Sequence, residues 1–125
     1  MKPAIDLAAR ALLSQIFILA GISKITGFAG TQAYMDSMGV PGALLPLVIA
    51  VELGGGLALL LGFQTRVVAL ALAGFSIVAG AIFHNNFADQ MQMILFMKNL
   101  AMAGGLLLLV NAGAGAWSLD ARRGQ

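Results

Sequence analysis

Residues 42–62 read Gly-Ala-Leu-Leu-Pro-Leu-Val-Ile-Ala-Val-Glu-Leu-Gly-Gly-Gly-Leu-Ala-Leu-Leu-Leu-Gly. Glu52 is the one ionisable residue in that stretch. A helix needs roughly 20 apolar residues to cross a ~30 Å hydrocarbon core, and this run has that length. Three further apolar stretches of similar size fall at about residues 7–27, 67–83 and 91–112. Lipid offers the backbone no hydrogen-bond partners, so helices are the spanning form these stretches can take. The reading is an all-α integral membrane four-helix bundle, with residues 1–125 as a single transmembrane domain.

Composition agrees. Of 125 residues, 60% are hydrophobic and 10% charged, against about 25% charged in soluble domains. Mean hydropathy is +0.94. There is no cysteine, which removes disulfides, thiol relays, Cys-held iron–sulfur clusters and c-type haem attachment. One histidine cannot supply the ligand set of an ordinary zinc site, so no metal site is assigned. Met35, Met38, Met91, Met93 and Met97 lie toward the same side as His84. Thioethers with imidazole suit Cu(I), but methionine also fills irregular apolar space, and no repeated Met motif is present. The net charge of +2 comes from scattered Lys and Arg, so no nucleic-acid footprint exists.

Those basic residues instead report orientation. Lys2, Arg10, Arg66, Arg122 and Arg123 fall on one side of a four-span chain, while the other has Lys24, with Lys98 deeper in span 4. Both termini are therefore expected in the cytoplasm, with Arg10, Arg66, Arg122 and Arg123 as topology anchors. Phe28, Tyr34, Phe83 and Phe87 then mark the outer interface, and Phe63 and Trp117 the inner one. Residue 10 and the apolar core behind it resemble a signal peptide, but no small-x-small cleavage site follows, so the segment is kept as a span. The outer loop at residues 29–41 is expected to form a short interfacial helix capped by Thr31 and ended by Gly39 and Pro41.

Ionisable groups at membrane depth are the candidates for chemistry, because each costs about 2.5–3.5 kcal/mol at a span centre. Glu52 lies about ten residues, or ~15 Å, from the outer end of span 2. Lys98 lies about seven residues, or ~10 Å, into span 4, beside Asn99. Small residues at Gly55 and Gly56, and at Ala101 and Gly105, place both charges toward the bundle interior. Span 1 presents Arg10, Ser14, Phe17, Gly21 and Lys24 as one stripe, and span 3 presents Arg66, Ala73, Ile77, Gly80 and His84. The candidate polar site is thus Glu52, Lys98, Asn99, Lys24 and His84, opening toward the outer half. The plainer alternatives are a structural Glu52–Lys98 ion pair, Lys24 snorkelling to the headgroups, and His84 as an interfacial hydrogen-bonding residue. A duplicated helical hairpin is hinted at by the matching runs 54–61 and 104–109.

The run VELGGGLALLLGFQTR at residues 51–66 resembles the second-helix signature of DoxX-family membrane proteins. Arg10 with AGISK at 20–24, GVPG at 39–42, FHNNF at 83–87, FMKNL at 96–100 and WSLD at 117–120 extend the likeness over nearly the whole chain. The resemblance implies a small four-helix protein of the bacterial inner membrane. It further implies association with membrane oxidoreductases that handle quinones, and its polar positions here are Arg10, Lys24, Glu52, Arg66, His84, Lys98 and Asn99. It assigns no catalytic residue, and the absence of cysteine argues against thiol chemistry in this member.

The expected function is an accessory or quinone-interacting subunit of a membrane oxidoreductase system. Lys98, Asn99 or His84 would donate to a quinone head group, Glu52 would pass protons, and apolar walls would take the tail. Expected partners are the lipid bilayer, membrane or periplasmic oxidoreductase proteins, and a second copy of the chain. The alternatives are a non-enzymatic membrane adaptor, and a carrier of protons or a small solute through the polar interior.

Overall fold

The computed structural model describes residues 2–122. Arg123, grouped above with the topology anchors, lies outside them. Four helices are long and apolar enough to cross a membrane: α1 (Lys2–Thr26), α3 (Gly42–Leu61), α4 (Thr65–Phe83) and α5 (Gln90–Ala112). A shorter α2 (Phe28–Ser37) joins the first two, and a single turn, α6 (Leu119–Arg122), ends the described chain. No strand occurs among the described residues.

The spans pair as two antiparallel hairpins, α1 along α3 and α4 along α5. Lipid tails are as apolar as leucine, so close packing rather than water exclusion must hold the helices together. The sequence provides it with small residues. A Cβ added at Gly21 would stand 2.9 Å from Leu53 Cβ and 3.1 Å from its backbone nitrogen. One added at Gly56 would stand 2.8 Å from Ile18 Cγ1. The hairpins meet through Phe17, Leu59, Leu72 and Leu106, with Ala69, Ala73 and Ala103 filling the space between them.

Helix ends follow local chemistry. Gly39 at φ +80° closes α2 in a Schellman arrangement, with Val40 N–H donating to Met35 O at 2.9 Å and Gly39 N–H to Asp36 O at 3.1 Å. Gly62 at φ +72° does the same for α3, through Phe63 N–H to Ala58 O at 2.8 Å. The short outer helix exists, but Thr31 does not cap it. It starts after Gly27, and the Thr31 hydroxyl donates back to Gly27 O at 2.9 Å from inside the helix. Threonine one turn into a helix can satisfy itself on a preceding carbonyl, and that geometry won here.

At the end that carries both termini, two charged side chains close the tight turn between α3 and α4. Arg10 is 1% exposed. Its Nη1 donates to Leu60 O at 2.7 Å and Leu59 O at 3.3 Å, and its Nη2 donates to Trp117 O. Asp120 accepts from Gln64 N–H at 2.7 Å and Thr65 N–H at 2.8 Å. A cation thus sits on the carbonyl end of α3 and an anion on the amide end of α4, each complementing the helix dipole. Arg10 is therefore a buried clasp rather than a simple surface anchor, while Arg66 and Arg122 are exposed.

Candidate functional site

A cavity of about 530 Å³ lies at the opposite end, under α2, within the size range of small-molecule sites. Its walls are mostly apolar: Ile16, Phe17, Val48, Phe75, Ile82 and Met102. Tyr34 of α2 and Phe83 of α4 stack over it with ring centroids 5.6 Å apart. The Asp36 carboxylate accepts from Gly42 N–H at 2.8 Å, and Gln32 Nε2 donates to Gly42 O at 3.0 Å. These two bonds tie α2 to the start of α3 and fix the roof.

Lys24, Glu52, His84, Lys98 and Asn99 all line this cavity. Their relations differ from those expected. Glu52 is buried and pairs with Lys24, not Lys98; Lys24 Nζ stands 2.7 Å from Glu52 Oε1. The backbone explains why. Residues Ala50–Gly54 form a π turn, which inserts extra rotation and turns Glu52 toward α1. Gly21 lets the two helices approach there. Lys24 thus does more than snorkel, since its charge is met within the bundle.

Lys98 does not point into the packed interior. It is exposed on the helix surface at the cavity's edge, and Asn99 is the buried neighbour. Buried positions of α5 run Asn99, Ala103, Leu106 and Leu109. Small residues occur on every face of this helix, so Ala101 and Gly105 were a poor guide to its inward side. On α4 the expected stripe is buried at Ala73 and Gly80, while at its middle Ser76 is buried and Ile77 exposed.

Asn99 Nδ2 donates to Ser76 O at 3.1 Å. Gly80 makes room for it, since a Cβ there would lie 3.3 Å from Asn99 Cβ. Ser76 was not among the residues expected at the site. It is 1% exposed and lines the cavity, yet its hydroxyl has no hydrogen-bond partner among the described residues. A lone hydroxyl in an apolar run was the available signal. His84 Nδ1 lies 3.0 Å from Gln92 Oε1. With that oxygen accepting, the neutral ring carries its proton on Nδ1, and Nε2 is left as an acceptor. Met35 is buried beside the cavity, whereas Met91, Met93 and Met97 face outward. The thioethers therefore do not converge on His84.

A second depression, near Thr65, Arg66, Gly113 and Asp120, sits over the terminal clasp. The Asp120 carboxylate there is engaged in capping α4.

The DoxX family profile matches residues 5–85. The chain belongs to the DoxX family. It is 56% identical over 114 residues to the inner membrane protein YqjF of Escherichia coli K12, covering 91% of this chain and 88% of that one. To the inner membrane protein YphA of the same organism it is 38% identical over 128 residues, covering 97% and 91%. A Bacillus subtilis 168 protein named “Putative oxidoreductase CatD” is 31% identical over 108 residues, covering 82% and 81%. No solved structure matches the chain. With four spanning helices and these relatives, this DoxX protein is a multi-pass protein of the inner membrane.

Proposed function

We propose that this DoxX protein is a quinone-interacting subunit of a membrane oxidoreductase system, with the quinone ring held in the cavity beneath α2. The supporting observation is the cavity itself. It sets an orphaned buried hydroxyl, Ser76 Oγ, and a salt-bridged carboxylate among apolar walls at membrane depth. The relative named as an oxidoreductase points to the same class of chemistry.

A quinone ring has two carbonyl oxygens that need donors and, once reduced, two hydroxyls that need acceptors. A bound quinone supplies two-electron, two-proton redox chemistry. Ser76 O–H and the Lys98 ammonium are donors for a carbonyl, and His84 Nε2 is an acceptor suited to a hydroxyl. Glu52, held against Lys24, is the carboxylate placed to hold or move a proton at the ring. Phe17, Phe75 and Ile16 give the ring and the first part of an isoprenoid tail an apolar seat. The partner proteins implied are the dehydrogenase or oxidase subunits that exchange electrons with the quinone pool.

The test is saturable binding of a short-tailed quinone to purified protein in non-ionic detergent. Ala79 lines the cavity, so Ala79→Phe places a ring in the seat. Binding should be lost in Ala79→Phe and kept in Leu108→Ala, which changes an outward residue. Equal binding in all three proteins would remove the site.

A further inference from the structure

We propose that the cavity prefers head groups carrying a negative charge, and that Lys98 is the residue that selects them. This rests on the quinone reading above and names the ionised members of that class.

The cavity wall carries few charges. Its charged residues are Lys24, Glu52 and Lys98, with His84 beside them. Lys24 and Glu52 cancel at 2.7 Å, and His84 Nδ1 is engaged with Gln92 at 3.0 Å. The acids on the packed elements are otherwise committed. Asp36 accepts from Gly42 N–H and Asp89 from Met91 N–H. Lys98 therefore has no acidic partner among the described residues. It lies nine residues beyond the α5 cap residue Asp89, roughly 13 Å along the helix. An ammonium at that depth is expensive unless an anion or water meets it.

A second observation points to a ligand. Ser76, 1% exposed, is among the residues lining the same cavity, and its buried hydroxyl has no partner among the described residues. An unmet hydroxyl donor in the cavity lining and an unmet ammonium at the cavity's edge suit a head group whose ring oxygens carry negative charge. That charge would form a short, charge-assisted bond to the Lys98 ammonium. A neutral carbonyl would satisfy Ser76 but leave the Lys98 charge uncompensated.

The experiment compares two probes that share a ring: an alkyl naphthoquinone with an ionised ring hydroxyl, and its methyl ether, which is neutral. Wild-type protein in non-ionic detergent at neutral pH should bind the ionised probe about tenfold tighter. Lys98→Gln should bring the two affinities together, while Lys98→Arg should keep the preference. Lys98 is exposed, so neither change disturbs packing. If both probes bind wild type equally, the charge selection is wrong and the quinone site stands. If the preference persists in Lys98→Gln, Lys98 is not its source and the inference falls. If neither probe binds, the inference and the quinone reading fall together.

Discussion

Lys24 Nζ lies 2.7 Å from Glu52 Oε1, joining the end of α1 to the π turn of α3. The carboxylate is nearly enclosed, with 6% of its side chain exposed, whereas the lysine retains 29%. The pair is therefore asymmetric. Removing the lysine strands a buried charge, while removing the carboxylate leaves a cation that can still reach the interface.

From that asymmetry, Lys24→Met should destabilise more than Glu52→Leu. Breaking a buried pair costs roughly 3 kcal/mol when the survivor is enclosed, and the partly exposed Lys24 should reduce the loss for Glu52→Leu to about 1 kcal/mol. The double variant should be more stable than Lys24→Met alone. Thermal unfolding of the four proteins in one detergent gives the cycle, and additive losses would show that the two charges do not interact.

The terminal clasp makes a second prediction. Arg10→Met removes the guanidinium donor from the carbonyls of Leu60 and Trp117, Leu59 O keeping its bond from Gly62 N–H, at a cost of roughly 3 kcal/mol in all. Asp120→Ala removes the cap of α4 and should cost about 1 kcal/mol. Both should free the segment after Gly113, so limited proteolysis should cut residues 113–122 faster than in wild type. Unchanged cleavage in Arg10→Met would mean the tail is held by something else.

Glycine positions separate into tight and open ones. Gly21→Val and Gly56→Val push against Leu53 and Ile18 and should each cost about 1–3 kcal/mol. Nothing stands within 4 Å of a Cβ at Gly74 or Gly104. Gly74→Ala and Gly104→Ala should be neutral or stabilising by about 0.5–1 kcal/mol. Equal effects at all four positions, read by unfolding temperature, would contradict this helix packing.

Orientation is the fourth prediction. Lys2, Arg10, Arg66 and Arg122 gather at the end that carries both termini, so that end should face the cytoplasm. Alkaline phosphatase fused after the last residue should be inactive and a fluorescent protein fused there bright. The opposite pattern would invert the topology.

The apolar runs made the four spans legible, because a length near 20 residues has one meaning in lipid. The α1 stripe was legible as well: Arg10, Ser14, Phe17 and Gly21 are its buried residues. On α4, Ala73 and Gly80 are buried as expected but Ile77 is exposed, and on α5 Asn99 is buried where Lys98 was expected. Both helices are apolar around their whole circumference, so Ser76 and Asn99 could be told from Ile77 and Lys98 only by packing. The five candidate residues do share one cavity, yet the Lys24–Glu52 pairing depends on a π turn that no spacing rule foretells. Asp120 was missed for a different reason. Its role is to cap a helix 55 residues away, and local sequence carries no trace of that.

Photolabelling by a short-tailed azidoquinone in native membranes reads out whether the quinone sits beneath α2. Label should fall within residues 16–24, 75–84 and 98–102, compete with unlabelled quinone, and disappear in Ala79→Phe. Label spread along the outward faces of the four spans, unaffected by competitor or by Ala79→Phe, would contradict a quinone site in the cavity.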